Sequence, residues 1–177
     1  MMRFIKAFLF GITGLFIIIT LLSLLIPAHV KVSRITVINN TVINKIYKQI
    51  ADLKEWKNWH PVFKPGVAVI NFGNITEGNN AGCDIIINNK TTHLIINSAD
   101  SFSVKFTLLS QGENSIENNI ILTPLPAQQA VQVEWQAINK LHWYPWDKFY
   151  AIFIDKISGP GYEAALNGLK NFIEKNP

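Results

Sequence analysis

The chain has 177 residues, 49% of them apolar, with 16 basic and 12 acidic side chains, a net charge of +4 and a single cysteine, Cys83. That length holds one soluble domain of about 150 residues beyond a short N-terminal element. From Val30 onward 14 basic residues meet 12 acidic ones and Arg34 is the one arginine, which excludes a dense basic stripe for nucleic acid. One cysteine excludes an intramolecular disulfide.

Ala7 to Ile26 is a run of 20 uncharged residues carrying 14 Leu, Ile and Phe side chains. As a helix it spans roughly 30 Å, the thickness of the hydrocarbon layer. Each of those side chains favours insertion by roughly 0.3–0.6 kcal/mol near the bilayer centre. A cleaved signal peptide needs a shorter core and a small-x-small site, whereas Ile26-Pro27-Ala28 places a bulky residue there. Residues 1–28 therefore read as a tail and transmembrane anchor, and residues 29–177 as the domain. Arg3 and Lys6 favour a cytoplasmic tail, against the pull of Lys31 and Arg34. The expectation is a single-pass protein of a bacterial inner membrane with its domain extracytoplasmic.

Val30 to Ile38 is β-branched and reads as a first strand. After Asn39-Asn40, Thr41 is placed to cap a helix whose buried face is Val42, Ile43, Ile46, Tyr47 and Ile50. A second short helix is expected over Asp52 to Lys57, ending at His60-Pro61, with Trp56 and Trp59 on one side. Strands follow at Val67–Phe72, Cys83–Ile87, Thr91–Ser98, Phe102–Leu109, Ile116–Thr123 and Val131–Asn139. Phe102, Val104, Phe106 and Leu108 alternate with polar residues, as do Val131, Val133, Trp135 and Ala137, so one sheet face is packed and the other wet. The short turns between them permit hairpins only, hence an antiparallel meander.

Trp146 to Lys175 closes the chain as a long helix, with a break predicted at Ser158-Gly159-Pro160-Gly161 because proline cannot continue the hydrogen-bonded ladder. Its first segment is apolar nearly all round from Phe149 to Ile154, so it needs a second apolar object besides the sheet: a loop, a ligand or a bilayer. The aromatic cluster Trp143, Tyr144, Trp146, Phe149 and Tyr150 fits three settings: core packing, a membrane headgroup layer, or a cavity mouth.

Asp52-Leu53-Lys54-Glu55-Trp56-Lys57-Asn58-Trp59-His60-Pro61, after a strand and a helix, resembles the D-L-x-x-W-x-x-W-x-P signature of the polyketide cyclase/dehydratase-like branch of the START/birch-pollen-allergen (SRPBCC) superfamily. The tail from Asp155 through Gly159-Pro160-Gly161 to Lys170 is similar to the C-terminal helix of that branch. His60 stands where serine is usual, and Asn88 to His93 replaces a Gly/Ser-rich strand start. The resemblance implies an α+β helix-grip fold, with a seven-stranded curved antiparallel sheet around the long C-terminal helix and a hydrophobic cavity between them. The over-apolar helix, the inward strand faces and the anchor beside them give the first reading, a membrane-tethered binding module for an apolar small molecule such as a lipid, isoprenoid or aromatic metabolite. The residues expected to line such a cavity are Trp56, Trp59, His60, Phe102, Phe106, Trp135, Trp146, Phe149 and Phe153.

The histidines at 29, 60, 93 and 142 have no metal-ligand spacing, and no cofactor motif is present. No catalytic constellation is visible. His60 is the one candidate general base, for a cyclase, dehydratase or hydrolase acting on an apolar substrate. A non-catalytic envelope protein with a filled core is the third reading.

Overall fold

The structure is a computed structural model that describes residues 2–176; the side chains of Met2, Arg3 and Ala7 lie outside the description. The Arg3 part of the charge bias therefore falls outside it too. α1 (Met2–Ser23) contains a 20-residue stretch, Phe4–Ser23, with mean hydropathy 2.3, long and apolar enough to cross a membrane. The apolar run continues beyond the helix as a turn, where Ile26 N–H donates to the Ser23 carbonyl.

Seven strands form one antiparallel sheet: β1 (His29–Asn39), β2 (Val69–Phe72), β3 (Gly82–Ile87), β4 (Lys90–Asp100), β5 (Ser103–Ser110), β6 (Ile116–Leu125) and β7 (Ala130–Lys140), in the order β1-β7-β6-β5-β4-β3-β2. Six run as a meander, and β1 adds to its far side through the register His29↔Lys140 to Asn39↔Ala130. Asn88 and Asn89 both take left-handed φ, 48° and 63°, as a two-residue hairpin between β3 and β4 demands. A register shift in β4 between Ile96 and Ser98 adds the bend that curls the sheet. Val104 and Phe106 of β5, with Val133, Trp135 and Ala137 of β7, are buried on its concave face, as their alternation predicts.

Against that face lie α2 (Ile43–Ala51), the short α3 (Trp56–Trp59) and the long α5 (Ile154–Lys175), giving the expected helix-grip architecture. At Gly168 α5 comes so close to α3 that an added Cβ would sit 2.1 Å from the Trp59 carbonyl oxygen. Glycine permits that approach.

Several local expectations need correction. Val42, not Thr41, precedes α2 and is exposed instead of joining its buried face, and the Thr41 hydroxyl is buried without a hydrogen-bond partner among the described residues. Asn40 takes a left-handed φ of 52° just before Thr41, and no side chain caps the helix start. Asp52 is not helical: it bridges to Glu77, and its carboxylate accepts from the Lys54 N–H, so the second helix shrinks to α3. The largest correction concerns the C-terminal helix. It runs unbroken through Gly159 and Pro160, and the division falls earlier, at Ile152-Phe153, between α4 (Pro145–Ala151) and α5. Pro160 and Lys156 are both exposed, so the Lys156 carbonyl that loses its donor lies on the solvent side. Gly159 is buried against Arg34, where an added Cβ would meet the guanidinium at 2.1 Å. The kink at Ile152-Phe153, tightened by i→i−3 bonds to Phe149 and Tyr150, arises where the chain leaves α1, on which α4 packs, for the sheet.

Candidate functional site

The concave face and α5 do not close completely. A cavity of about 290 Å³ remains, walled by Trp56, Phe63, Leu94, Phe106, Leu108 and Trp135, with His60, Ser158, Gly161 and Tyr162 around it. The size lies near the lower end for small-molecule sites. No lining residue carries a carboxylate, ammonium or guanidinium.

Two indoles fix one wall. Trp56 Nε1 donates to the Ile50 carbonyl at 3.1 Å and Trp59 Nε1 to the Gln49 carbonyl at 2.9 Å, tying α3 to the end of α2. The Trp135 indole N–H donates at 3.0 Å to the buried Asn118 amide oxygen, and Asn118 Nδ2 donates to the Ile116 carbonyl. Each indole nitrogen is thus satisfied, leaving the rings as apolar surface.

His60 follows Trp59 and leads a 3₁₀ turn, Pro61–Phe63, which its Nδ1 caps by accepting the Val62 N–H at 3.2 Å. The ring stacks on Trp56 at 5.2 Å between centroids and 18° between planes. Burial pulls its pKa from 6.5 down to about 4, so the imidazole is neutral at pH 7. With the Nδ1 lone pair engaged, the neutral ring carries its proton on Nε2 and can offer a ligand a donor. Burial likewise raises Tyr162, whose ring lies 5.3 Å from Trp135, so its phenol stays protonated.

The other polar groups are committed. Ser158 Oγ donates to the Ile154 carbonyl, and the Thr92 and Ser110 hydroxyls bond each other. Cys83 is 4% exposed, and burial, then the nearby Asp84, pushes its thiol up to about 12. It is a core residue, not a thiolate. Among the described residues no group of His, Cys, Asp and Glu side chains is placed to hold a metal ion.

Of the lining residues expected from sequence, Trp56, His60, Phe106 and Trp135 surround this cavity. Trp59 is 1% exposed and lies behind them in the core, where α3 and α5 meet. Phe102, Trp146, Phe149 and Phe153 are not lining residues, and all four are exposed. Phe102, expected to begin the inward alternation, sits in the β4–β5 turn that Asp100 caps, one residue before β5 starts. The other three point away from the sheet because the helix divides before α5 reaches it. Leu108, Leu94 and Tyr162 were missed. Leu108 is the next inward residue after Phe106, Leu94 is its partner across the ladder, and Tyr162 stands at helical spacing before the buried Leu166, Leu169 and Ile173 of α5.

A second, more open groove of about 640 Å³ lies between the β1–α2 turn and the β6–β7 hairpin, at the opposite end of the sheet. It is not part of this site.

No protein-family model and no curated protein matches the chain. Solved structures share its fold. A protein of unknown function from Staphylococcus aureus aligns with TM-score 0.65 at 14% identity, over 84% of this chain and 95% of that one. CalU16 from Micromonospora echinospora aligns with TM-score 0.53 at 10% identity, over 82% of this chain and 75% of that one. Ara h 8.0201 aligns with TM-score 0.55 at 8% identity, over 82% of this chain and 97% of that one.

Proposed function

We propose that this protein binds an uncharged, largely apolar small molecule in the cavity between the sheet and α5, and that α1 anchors it in a membrane. The observation that carries the reading is the void of about 290 Å³, with aromatic and aliphatic walls, no charge, and the neutral imidazole of His60 at its edge. Apolar contact at roughly 25 cal/mol per Å² holds such a ligand, and a donor at the cavity edge, the His60 Nε2–H, orients it. A lipid, isoprenoid or aromatic metabolite with one acceptor oxygen has that chemistry. The void separates this reading from a domain whose core is simply filled. The enzyme reading with His60 as base is less favoured, because the lone pair it needs already accepts the Val62 N–H.

As to orientation, Arg3 and Lys6 before the apolar run support a cytoplasmic tail and an extracytoplasmic domain, with Lys31 and Arg34 beyond it pulling the other way.

Gly161 supplies the test. It borders the cavity on α5, and a Cβ added there meets nothing within 4 Å. Gly161→Leu should plug the mouth while improving helix propensity. Native mass spectrometry of the detergent-solubilised full chain should show a retained small molecule that the variant lacks, with an unchanged or higher melting temperature. Wild-type protein that carries nothing, and whose melting temperature no lipid extract raises, would sink the proposal.

A further inference from the structure

α4 has its polarity inside out. Its outward stripe, Trp146, Phe149 and Tyr150, continues past the kink as Phe153 and Ile157, with exposures of 65%, 37%, 50%, 55% and 56%. The inward side holds Ala151, Ile154 and a lysine, Lys148, which is 5% exposed. A helix on a water-facing surface has the opposite arrangement. The buried ammonium is matched to a specific partner: Lys148 Nζ donates at 2.9 Å to the Ile26 carbonyl, in the turn that ends α1. That carbonyl lies in the turn just past the C-terminal, negative end of α1. Leu24 and Leu25 in the same turn are 61% and 80% exposed, so the apolar surface of α1 passes to α4 at the point where Lys148 joins them.

The cavity lies on this same end of the sheet. Val30, just past α1, pairs with Asn139, Asn139 with Ile116, Ile116 with Leu108, and Leu108 with Leu94. Two cavity residues therefore stand in the row of Val30, and Trp135 stands in the row of Arg34, roughly 13 Å further along at ordinary strand rise. The residues of α5 at the cavity, Ser158, Gly161 and Tyr162, follow the outward stripe directly.

We propose that the outward stripe of α4 and the start of α5 is a docking surface for a phospholipid bilayer, clamped to α1 by the Lys148–Ile26 bond, so that the cavity opens beside the headgroup layer. This rests on the reading of α1 as a membrane anchor. Tryptophan and tyrosine suit that layer, with an apolar body and a polar tip. A ligand drawn from the bilayer then passes into the cavity without crossing bulk water.

The experiment uses the full chain in phosphatidylcholine vesicles brominated either near the headgroup end of the acyl chains or near the methyl end. The chain should float with the vesicles, and its tryptophan emission should be quenched mainly by the shallow bromines. Trp146→Phe combined with Trp143→Phe should remove most of that quenching without changing flotation. Quenching that survives in this double variant and vanishes with Gly161→Leu reports a lipid in the cavity, not a docked stripe, and overturns the proposal. So does a chain that floats with Trp146 unquenched, whether the stripe faces water or is covered by a second copy. A chain that does not float removes the anchor reading itself. Lys148→Met keeps the packing but breaks the clamp, and should lower shallow quenching while flotation persists; unchanged quenching would overturn the clamp.

Discussion

His60 illustrates how much a single ring nitrogen decides. Its neighbours in sequence mark it as a polar group beside two tryptophans, but the sequence does not say which nitrogen is free. The structure gives Nδ1 to the Val62 N–H and leaves Nε2 as a donor. Because burial lowers its pKa from 6.5 to about 4, the unfolded chain binds a proton in that window that the folded chain does not. Stability should therefore be full above pH 6.5 and decline as the pH falls toward 4, with a slope of up to about 1.4 kcal/mol per pH unit. His60→Asn keeps an acceptor for the cap and should flatten that decline in chemical denaturation run across the same range. His60→Ala loses cap and stacking together, at a cost of about 1–2 kcal/mol. Gly168→Ala tests the approach of α5 to Trp59: backbone lies only 2.1 Å from the new Cβ, so the melting temperature should drop by the equivalent of about 1–3 kcal/mol.

At the scale of elements, the strands were readable because period-two alternation and polar turns are local signals. The Asn88-Asn89 hairpin and the inward run Val104, Phe106, Leu108 follow from neighbouring residues alone. The division of the C-terminal helix was not readable. Pro160 carries a strong local signal for a break, but Gly159 is a glycine because Arg34, from β1, lies against it, and no local pattern records that contact. With α5 continuous through Pro160, Pro160→Ala should restore a backbone bond to Lys156 and stabilise by about 1–2 kcal/mol. A break there would make the change neutral or unfavourable. Differential scanning calorimetry decides.

For the whole molecule, the sheet, the gripped helix and the inward position of Trp56, His60, Phe106 and Trp135 were anticipated by the tryptophan signature and the strand pattern. The orientation of the aromatic segment after β7 was not, because Trp146 and Phe149 look equally suited to a core, a cavity or a bilayer until the seating of α4 is known. The cavity has a consequence for bulk behaviour. An apolar void of about 290 Å³ that is lost on unfolding makes the unfolding volume more negative. Ligand-stripped Gly161→Leu should therefore resist pressure denaturation better than the wild-type chain, as followed by tryptophan fluorescence in a pressure cell.

The pairing of β1 with β7 also governs the order of assembly. The Ser33 hydroxyl meets the Glu134 carboxylate across 101 residues of chain, so β1 leaves the ribosome long before β7, its neighbour in the sheet, exists. The meander from β2 to β7 forms by local hairpins, and the long loop closure that brings in β1 comes afterwards and is intrinsically slow. During synthesis the strand next to α1 thus waits unpaired, which makes the closing of that ladder the step most exposed to misassembly.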